Sequence, residues 1–245
     1  MLLTALGKYL IFIINVFKRP VRFKIFLKRV GEEIEQIGID SIGIVSIVSV
    51  FMGAVLTLQV AINFVSPLIP RYLIGLSARD TFILEFSSTM VCLILAGKVG
   101  SNIASEVGTM RITEQIDALE IMGLNSASYL ILPKIVAALI TFPILSLLST
   151  ILGILGGFLI ALSTDVVTVY DYIHGLHYAF VPFYVTYSII KICFFSVIIT
   201  SISAFQGYYT FGGALEVGKS STKAVVYSII VVLLFNLILT KLLLT

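Results

Sequence analysis

Tryptophan is absent from this chain, cysteine and histidine occur only twice each, and Asp, Glu, Lys and Arg together make up 12% of its 245 residues. Each scarcity excludes something. Cys92 and Cys193 both lie inside apolar runs, so no disulfide framework is implied and both read as small buried hydrophobes. A soluble domain carries about 25% charged residues. Half that density, with 59% hydrophobic residues, leaves more apolar surface than a single core can hide, so the solvent must be lipid. Aromatic belts at the lipid–water boundary fall to the 11 tyrosines and some phenylalanines. No Ser/His/Asp set or pair of carboxylates stands out, so the chain reads as no enzyme, and no cofactor is expected.

What is present is long uncharged sequence. Residues 41–70 contain no Asp, Glu, Lys or Arg. With about 20 apolar residues needed per crossing, spans are expected near 41–65, 81–103, 133–162, 181–204 and 223–244. The fold class is therefore all-α, a polytopic membrane protein with five crossings in a single domain over 1–245. Lys8 precedes the apolar stretch 9–17, but Lys18-Arg19-Pro20 follows it without a small-residue cleavage site, which argues against a signal peptide. Residues 16–37 mix six basic residues with Val, Phe, Ile and Leu. They predict an interfacial amphipathic helix within 1–37, each basic residue drawing on lipid headgroups by about 1 kcal/mol. Nothing here points to nucleic acid. Seven Lys or Arg residues before residue 30 place the amino terminus in the cytoplasm and, after five spans, the carboxyl terminus outside. Loops 104–125 and 205–222 are then cytoplasmic, and 66–80 and 163–180 lie outside.

The segment 96–124, AGKVGSNIASEVGTMRITEQIDALEIMGL, breaks this apolar pattern with five charges from Glu106 to Glu120. Ile112, Ile116 and Leu119 follow i, i+4, i+7, one stripe of a helix. Its polar face is mostly acidic, which suits a protein partner better than anionic lipid. Two stripes of small residues, Gly97/Ser101/Ser105 and Gly100/Ala104/Gly108, and the pair Gly153/Gly157 read as close-packing sites, more naturally within one subunit than as a dimer seam. Inside the expected spans, Glu85 and Lys191 are costly charges that need a partner or an aqueous cavity. They read either as an ion pair locking two helices or as polar contacts of a pocket for an amphiphile's headgroup. Lys98 and Lys134 flank the charged loop and are expected to snorkel.

Two patterns fail on context. Residues 213–220, GALEVGKS, match the P-loop pattern, but no strand or α/β sheet has room here. Gly212, Gly213, Gly218, Lys219 and Lys223 read instead as a flexible cytoplasmic loop. Asp171, His174 and His177 share i, i+3 spacing, a faint metal pattern; with Tyr170, Tyr172 and Tyr178 around them they read as an interfacial helix, and no metal is expected.

The stretch LAGKVGSNIASEVGTMRITEQIDALEIMG at 95–123 closely resembles the MlaE-type permeases of lipid-transporting ABC systems. The resemblance extends to FMGAVLTLQ at 51–59 and to 212–226, absorbing the false P-loop, and covers most of 37–245. It implies a homodimeric permease of the bacterial inner membrane that moves phospholipid or a similar amphiphile. A separate ABC ATPase would sit on its cytoplasmic face and an MCE-type lipid-binding protein on its periplasmic face. It further implies that 105–122 is a coupling helix seated in the ATPase, with Glu106, Gly108, Met110, Arg111, Thr113, Glu114, Gln115, Asp117 and Glu120 as its coupling residues. Glu85 and Lys191 fall where the family places polar groups of its lipid pocket. Around Glu85 this chain has Leu84, Phe86, Ser87 and Ser88 where the family often has Arg, Leu, Gly and Pro, and Lys98 stands where Arg is commoner. An ATP-independent secondary transporter or channel, and a scaffold that moves nothing, are the alternatives.

Overall fold

The computed structural model describes residues 2–18, 23–64, 70–164 and 166–244, and among these the regular structure is entirely helical. Eleven α-helices follow one another: α1 (Leu2–Phe17), α2 (Phe23–Ile34), α3 (Asp40–Asn63), α4 (Tyr72–Thr81), α5 (Val91–Leu95), α6 (Ser101–Ile112), α7 (Gln115–Ile121), α8 (Ser126–Ser163), α9 (Val169–His177), α10 (Phe183–Tyr208) and α11 (Ala214–Leu244). Three π-helical stretches, Glu35–Ile39, Phe82–Met90 and Ala96–Gly100, join α2 to α3, α4 to α5 and α5 to α6. Five of the resulting helical runs are long and apolar enough to cross a membrane: Phe23–Asn63, Tyr72–Ile112, Ser126–Ser163, Phe183–Tyr208 and Ala214–Leu244. Each overlaps one expected span. The first two, 41 residues each, run about 60 Å at the α-helical rise, twice the hydrocarbon thickness. Helix therefore continues well past the apolar stretch that hydropathy detects.

The structure corrects four local expectations. The interfacial helix expected within 1–37 is two helices, α1 and α2, with residues 19–22 between them outside the described residues. The loop expected at 66–80 carries helix α4, while α9 falls where a helix was expected around Tyr170, Tyr172 and Tyr178; residues 66–69 and Asp165 lie outside the described residues. The single helix expected over 105–122 is broken after Ile112, because Glu114 takes a left-handed backbone (φ 60°). The flexible loop expected around 212–223 is largely the first turns of α11, which begins at Ala214 and carries a 2.6 Å Glu216–Lys219 ion pair on its surface. A helix directly after Gly213 has no phosphate-cradling turn to offer.

By contact the chain forms two compact units. One comprises residues 1–41, 93–142 and 193–245; the other comprises 42–92 and 143–192. In the second, α3 and α8 meet backbone to backbone. A Cβ added to Gly53 would lie 1.9 Å from the Gly153 carbonyl oxygen, and one on Gly156 would lie 2.1 Å from that of Val50. Ser49 donates to Ser149 across the same seam at 2.7 Å. The other side of α8 turns outward with Ile144, Leu147, Ile151, Leu155, Leu159 and Leu162 exposed, while Ser146 and Ser149 are buried. That inside-out distribution is what lipid solvent produces, since apolar side chains gain nothing by hiding from it. The expected small-residue pair Gly153/Gly157 is thus used within the chain, Gly157 lying against Thr57 and the Tyr172 hydroxyl.

Helices α4 and α9 pack in the same unit by the same device, the Gly75 and Gly175 positions each lacking room for a side chain. Ala61, Ile74, Ala161, Val167 and Tyr172 form the apolar cluster beneath them. Arg79 donates to the Leu176 and Tyr178 carbonyls at 2.7 and 3.0 Å, satisfying the otherwise open end of α9. Burial pushes the Tyr172 phenol up to about 12, so it stays protonated and donates to the Ile154 carbonyl at 3.0 Å. Of the faint metal pattern, Asp171 is engaged with Thr168 in capping α9, and His174 lies edge-on to Tyr72 with ring centres 5.2 Å apart.

In the first unit, α1 packs on α10. Phe12 and Val16 are buried, Phe12 meets the Phe205 ring edge-on at 5.5 Å, and the Tyr9 and Ser201 hydroxyls are 2.7 Å apart. Helix α2 docks on the start of α8 through residues four apart on one face: Arg29 donates to the Tyr129 hydroxyl at 2.8 Å, and Glu33 accepts from Lys134. Helix α6, with Gly100 just before it, seats against α10 and α11 along the Gly100/Ala104/Gly108 stripe. A Cβ on Gly100 would lie 2.9 Å from Ser203 Oγ, and one on Gly108 would lie 3.2 Å from Val217.

Gly53→Ala is expected to overpack the α3–α8 seam and lower stability by about 1–3 kcal/mol. Gly43→Ala, with open space around its Cα, is expected to be neutral or to gain up to about 1 kcal/mol from helix propensity. Thermal unfolding of the two variants in detergent checks the contrast.

Candidate functional site

The charges read from the sequence fall into two separate centres, one in each unit. In the unit of 42–92 and 143–192, Lys191 on α10 is fully buried, and a lone ammonium there would be prohibitive. Its surroundings compensate it. The ammonium donates to Glu85 Oε1 at 3.1 Å and to the Leu84 carbonyl at 3.3 Å, and lies 4.8 Å from the centre of the Tyr187 ring. Glu85 sits in the π-helical stretch Phe82–Met90, and its other oxygen accepts from Thr89 at 3.0 Å. π-Helical turns are rare and occur mostly at functional positions. The Glu85 side chain remains 44% exposed while its lysine partner is sealed. Beside the pair the hydroxyls of Ser87 and Ser188, from facing helices, are 3.2 Å apart. The centre combines a sealed cation and buried hydroxyls with one accessible carboxylate, through which it can meet the polar end of an amphiphile.

In the unit of 1–41, 93–142 and 193–245, the expected coupling residues divide into three groups. Glu106 turns inward: its Oε2 accepts from Lys134 at 2.8 Å, and the same ammonium donates to both oxygens of Glu33 at 2.7 and 2.8 Å. Lys134 is 2% exposed, so it does not snorkel; its head is held in a charge cluster between α2, α6 and α8. Arg111, Asp117 and Glu120 fasten α7 to the rest of the unit. Arg111 Nη1 donates to Asp117 at 2.7 Å and its guanidinium lies near the Phe211 and Tyr208 rings. Glu120 accepts from Ser126 and from the Tyr208 hydroxyl at 2.8 and 2.9 Å. Thr113, Glu114 and Gln115 form the exposed break itself, where Thr113 donates to the Thr109 carbonyl and accepts from Gln115. Gly108 admits Val217 of α11, and Met110 is half-buried.

The apolar stripe read along 112–119 has one fully buried member, Ile116, with Ile112 and Leu119 partly covered. Ile121 (87% exposed), Met122 and Leu124 point away from it into the open. Asn125, at the α7–α8 turn, accepts from the Ser128 amide and donates to the Asn15 and Lys18 carbonyls, tying the start of α8 to the last turn of α1. Sequence reasoning overlooked Glu33, Asn125 and Tyr208. Only Asn125 carried a signal, as a helix-capping residue type just ahead of an apolar run.

The comparisons with known proteins fall on the same segments. Residues 30–242 match the family described as Permease MlaE. A probable ABC transporter permease protein of Rickettsia bellii is 33% identical over 97% of this chain and 92% of its own length. A probable ABC transporter permease protein of a Synechocystis species is 32% identical over 92% of this chain and 86% of its own. The chloroplastic protein TRIGALACTOSYLDIACYLGLYCEROL 1 of Arabidopsis thaliana is 30% identical over 93% of this chain and 65% of its own. Five membrane-crossing helices and likeness along nearly the whole chain lead to one conclusion: this protein belongs to the MlaE permease family, as a multi-pass permease subunit of the ABC transporter type.

Proposed function

We propose that this permease moves phospholipid or a similar amphiphile between the bacterial inner membrane and a periplasmic MCE-type carrier, working as a homodimer driven by a separate cytoplasmic ATPase. The observation that carries the reading is the Glu85–Lys191 centre, a sealed cation beside a carboxylate still 44% exposed, set among helices whose outer faces are apolar. A headgroup that carries a cation or hydrogen-bond donors meets the open Glu85 carboxylate there, which the sealed Lys191 holds in place, while its acyl chains remain in an apolar medium. The Arabidopsis relative is named for trigalactosyldiacylglycerol, which agrees with an amphiphile as cargo. The chain itself contributes no catalysis on this reading; ATP binding elsewhere supplies the work by favouring one state of the permease over another.

The α6–α7 segment is the proposed seat of the ATPase. Ile121 and Met122 supply an exposed apolar contact, and the Arg111–Asp117 pair holds α7 so that motion of one is motion of the other. The break at Glu114 divides the seat from the helix that enters the membrane.

Replacing both charges, Glu85→Gln with Lys191→Met, avoids stranding a buried lysine and is expected to lower photo-crosslinking to a phospholipid probe, and ATP-driven lipid transfer, about tenfold, the scale of one lost charged contact. Unchanged lipid capture would leave the pair a helix lock only. Gradient-driven flux through the permease without ATP would favour a secondary transporter instead. Met122→Glu is expected to release the ATPase during purification while the permease remains inserted. Arg111→Gln is expected to speed amide exchange across 114–121, leaving α10 and α11 protected, and to lower the lipid moved per ATP hydrolysed.

A further inference from the structure

The charge cluster at Lys134 has no part in the reading above, yet its geometry is lopsided in an informative way. One ammonium faces two carboxylates. Glu33 holds it with both oxygens at 2.7 and 2.8 Å, and its side chain is 11% exposed. Glu106 holds it with one oxygen at 2.8 Å, and its side chain is 40% exposed. A carboxylate deprived of its cation in a buried site keeps its whole desolvation penalty, whereas one that water already reaches loses little. Glu33 is therefore the fixed arm and Glu106 the releasable one.

The arms belong to different helices. Glu33 lies on α2, which continues through the π-helical turn Glu35–Ile39 into α3. Glu106 lies on α6, ahead of the Glu114 break and of α7. Next to the releasable arm is a cavity of about 440 Å³ whose lining mixes the charged Asp40 and Lys98 and the polar Asn102 with Ile37, Val99 and Ile103. A carboxylate swinging off Lys134 thus enters open space that a second ammonium, Lys98, also lines.

We infer that Lys134 is a positioning residue, a pin on which α6 docks and from which it lifts: Glu106 engages it in one state and turns into the cavity in the other, while Glu33 keeps the ammonium compensated throughout. The inference rests on the ATPase-driven reading above, because it supplies the hold against which motion delivered to α7 works. It assigns to Lys134, Glu33 and Glu106 a function in coupling distinct from contact with lipid or with the ATPase.

Reversing the charges separates holding from releasing. In the purified permease, Glu33→Gln is expected to lower Tm about three times as much as Glu106→Gln, following the contrast between buried and water-reached partners; equal losses would overturn the assignment of fixed and releasable arms. Glu33→Lys combined with Lys134→Glu rebuilds the buried pair with its signs exchanged, but the carboxylate now at position 134 repels the native Glu106. This double variant is expected to keep a near-normal Tm while lipid moved per ATP hydrolysed falls about tenfold, within the usual range of coupling between sites. Adding Glu106→Lys restores attraction on both arms and is expected to recover most of that ratio. A double variant that couples like the unaltered protein, or a triple variant that recovers nothing, would sink the inference. If the unaltered complex shows no lipid-linked ATP turnover at all, it is the transport reading that fails, while the Tm comparison still decides the two arms.

Discussion

In a lipid solvent, this chain must satisfy every polar group from within, and its architecture follows from that constraint more than from any gain in burying carbon. Apolar side chains on α8 face outward, so helices are drawn together by what lipid cannot offer: close backbone approach and hydrogen bonds. The Gly53–Gly153 and Gly75–Gly175 approaches and the Ser49–Ser149 and Ser87–Ser188 hydroxyl contacts are the same solution repeated. Each serine pair is worth only about 0.6 kcal/mol on average in such surroundings. The glycine seams, where a single methyl group has no room, therefore carry more of the specificity.

Charges are held by the same rule at higher stakes. Lys191 and Lys134 are both sealed, and each is compensated in its own way: one carboxylate, a carbonyl and an aromatic face for Lys191, two carboxylates for Lys134. In both centres the lysine is hidden while one partner, Glu85 or Glu106, stays roughly two-fifths exposed. Either arrangement is costly to strip of its cation, and the one at Lys134 is cheap to rearrange at its open carboxylate because Glu33 keeps the ammonium compensated. On the proposed function those open carboxylates are where the molecule meets, respectively, its cargo and its own movement.

How much of this could be read beforehand depended on range. Five uncharged runs announced five long helices, because hydropathy over about 20 residues is a local property. The helical extensions to Tyr72 and Ala214 were missed because their polar turns look like loop to a hydropathy reading. The break in 105–122 was missed because Glu114 is not a residue type that signals a left-handed turn. Lys134 was misread for a related reason: a lysine beside an uncharged run looks like one that reaches for the surface, and nothing local says that Glu33, 101 residues away, is waiting for it.

Composition and periodicity alone determined the solvent, the helical class and the number of long apolar helices, and the likeness of one segment near 95–123 to known permeases pointed to the family, since each is written in neighbouring residues. Pairing was decided only in three dimensions. Whether Glu106 faces an ATPase or Lys134, and whether Gly153 meets another subunit or Gly53, depends on how each helix is rotated about its axis against the others. That rotation is set by contacts between residues far apart in the chain, and a one-dimensional pattern does not contain it.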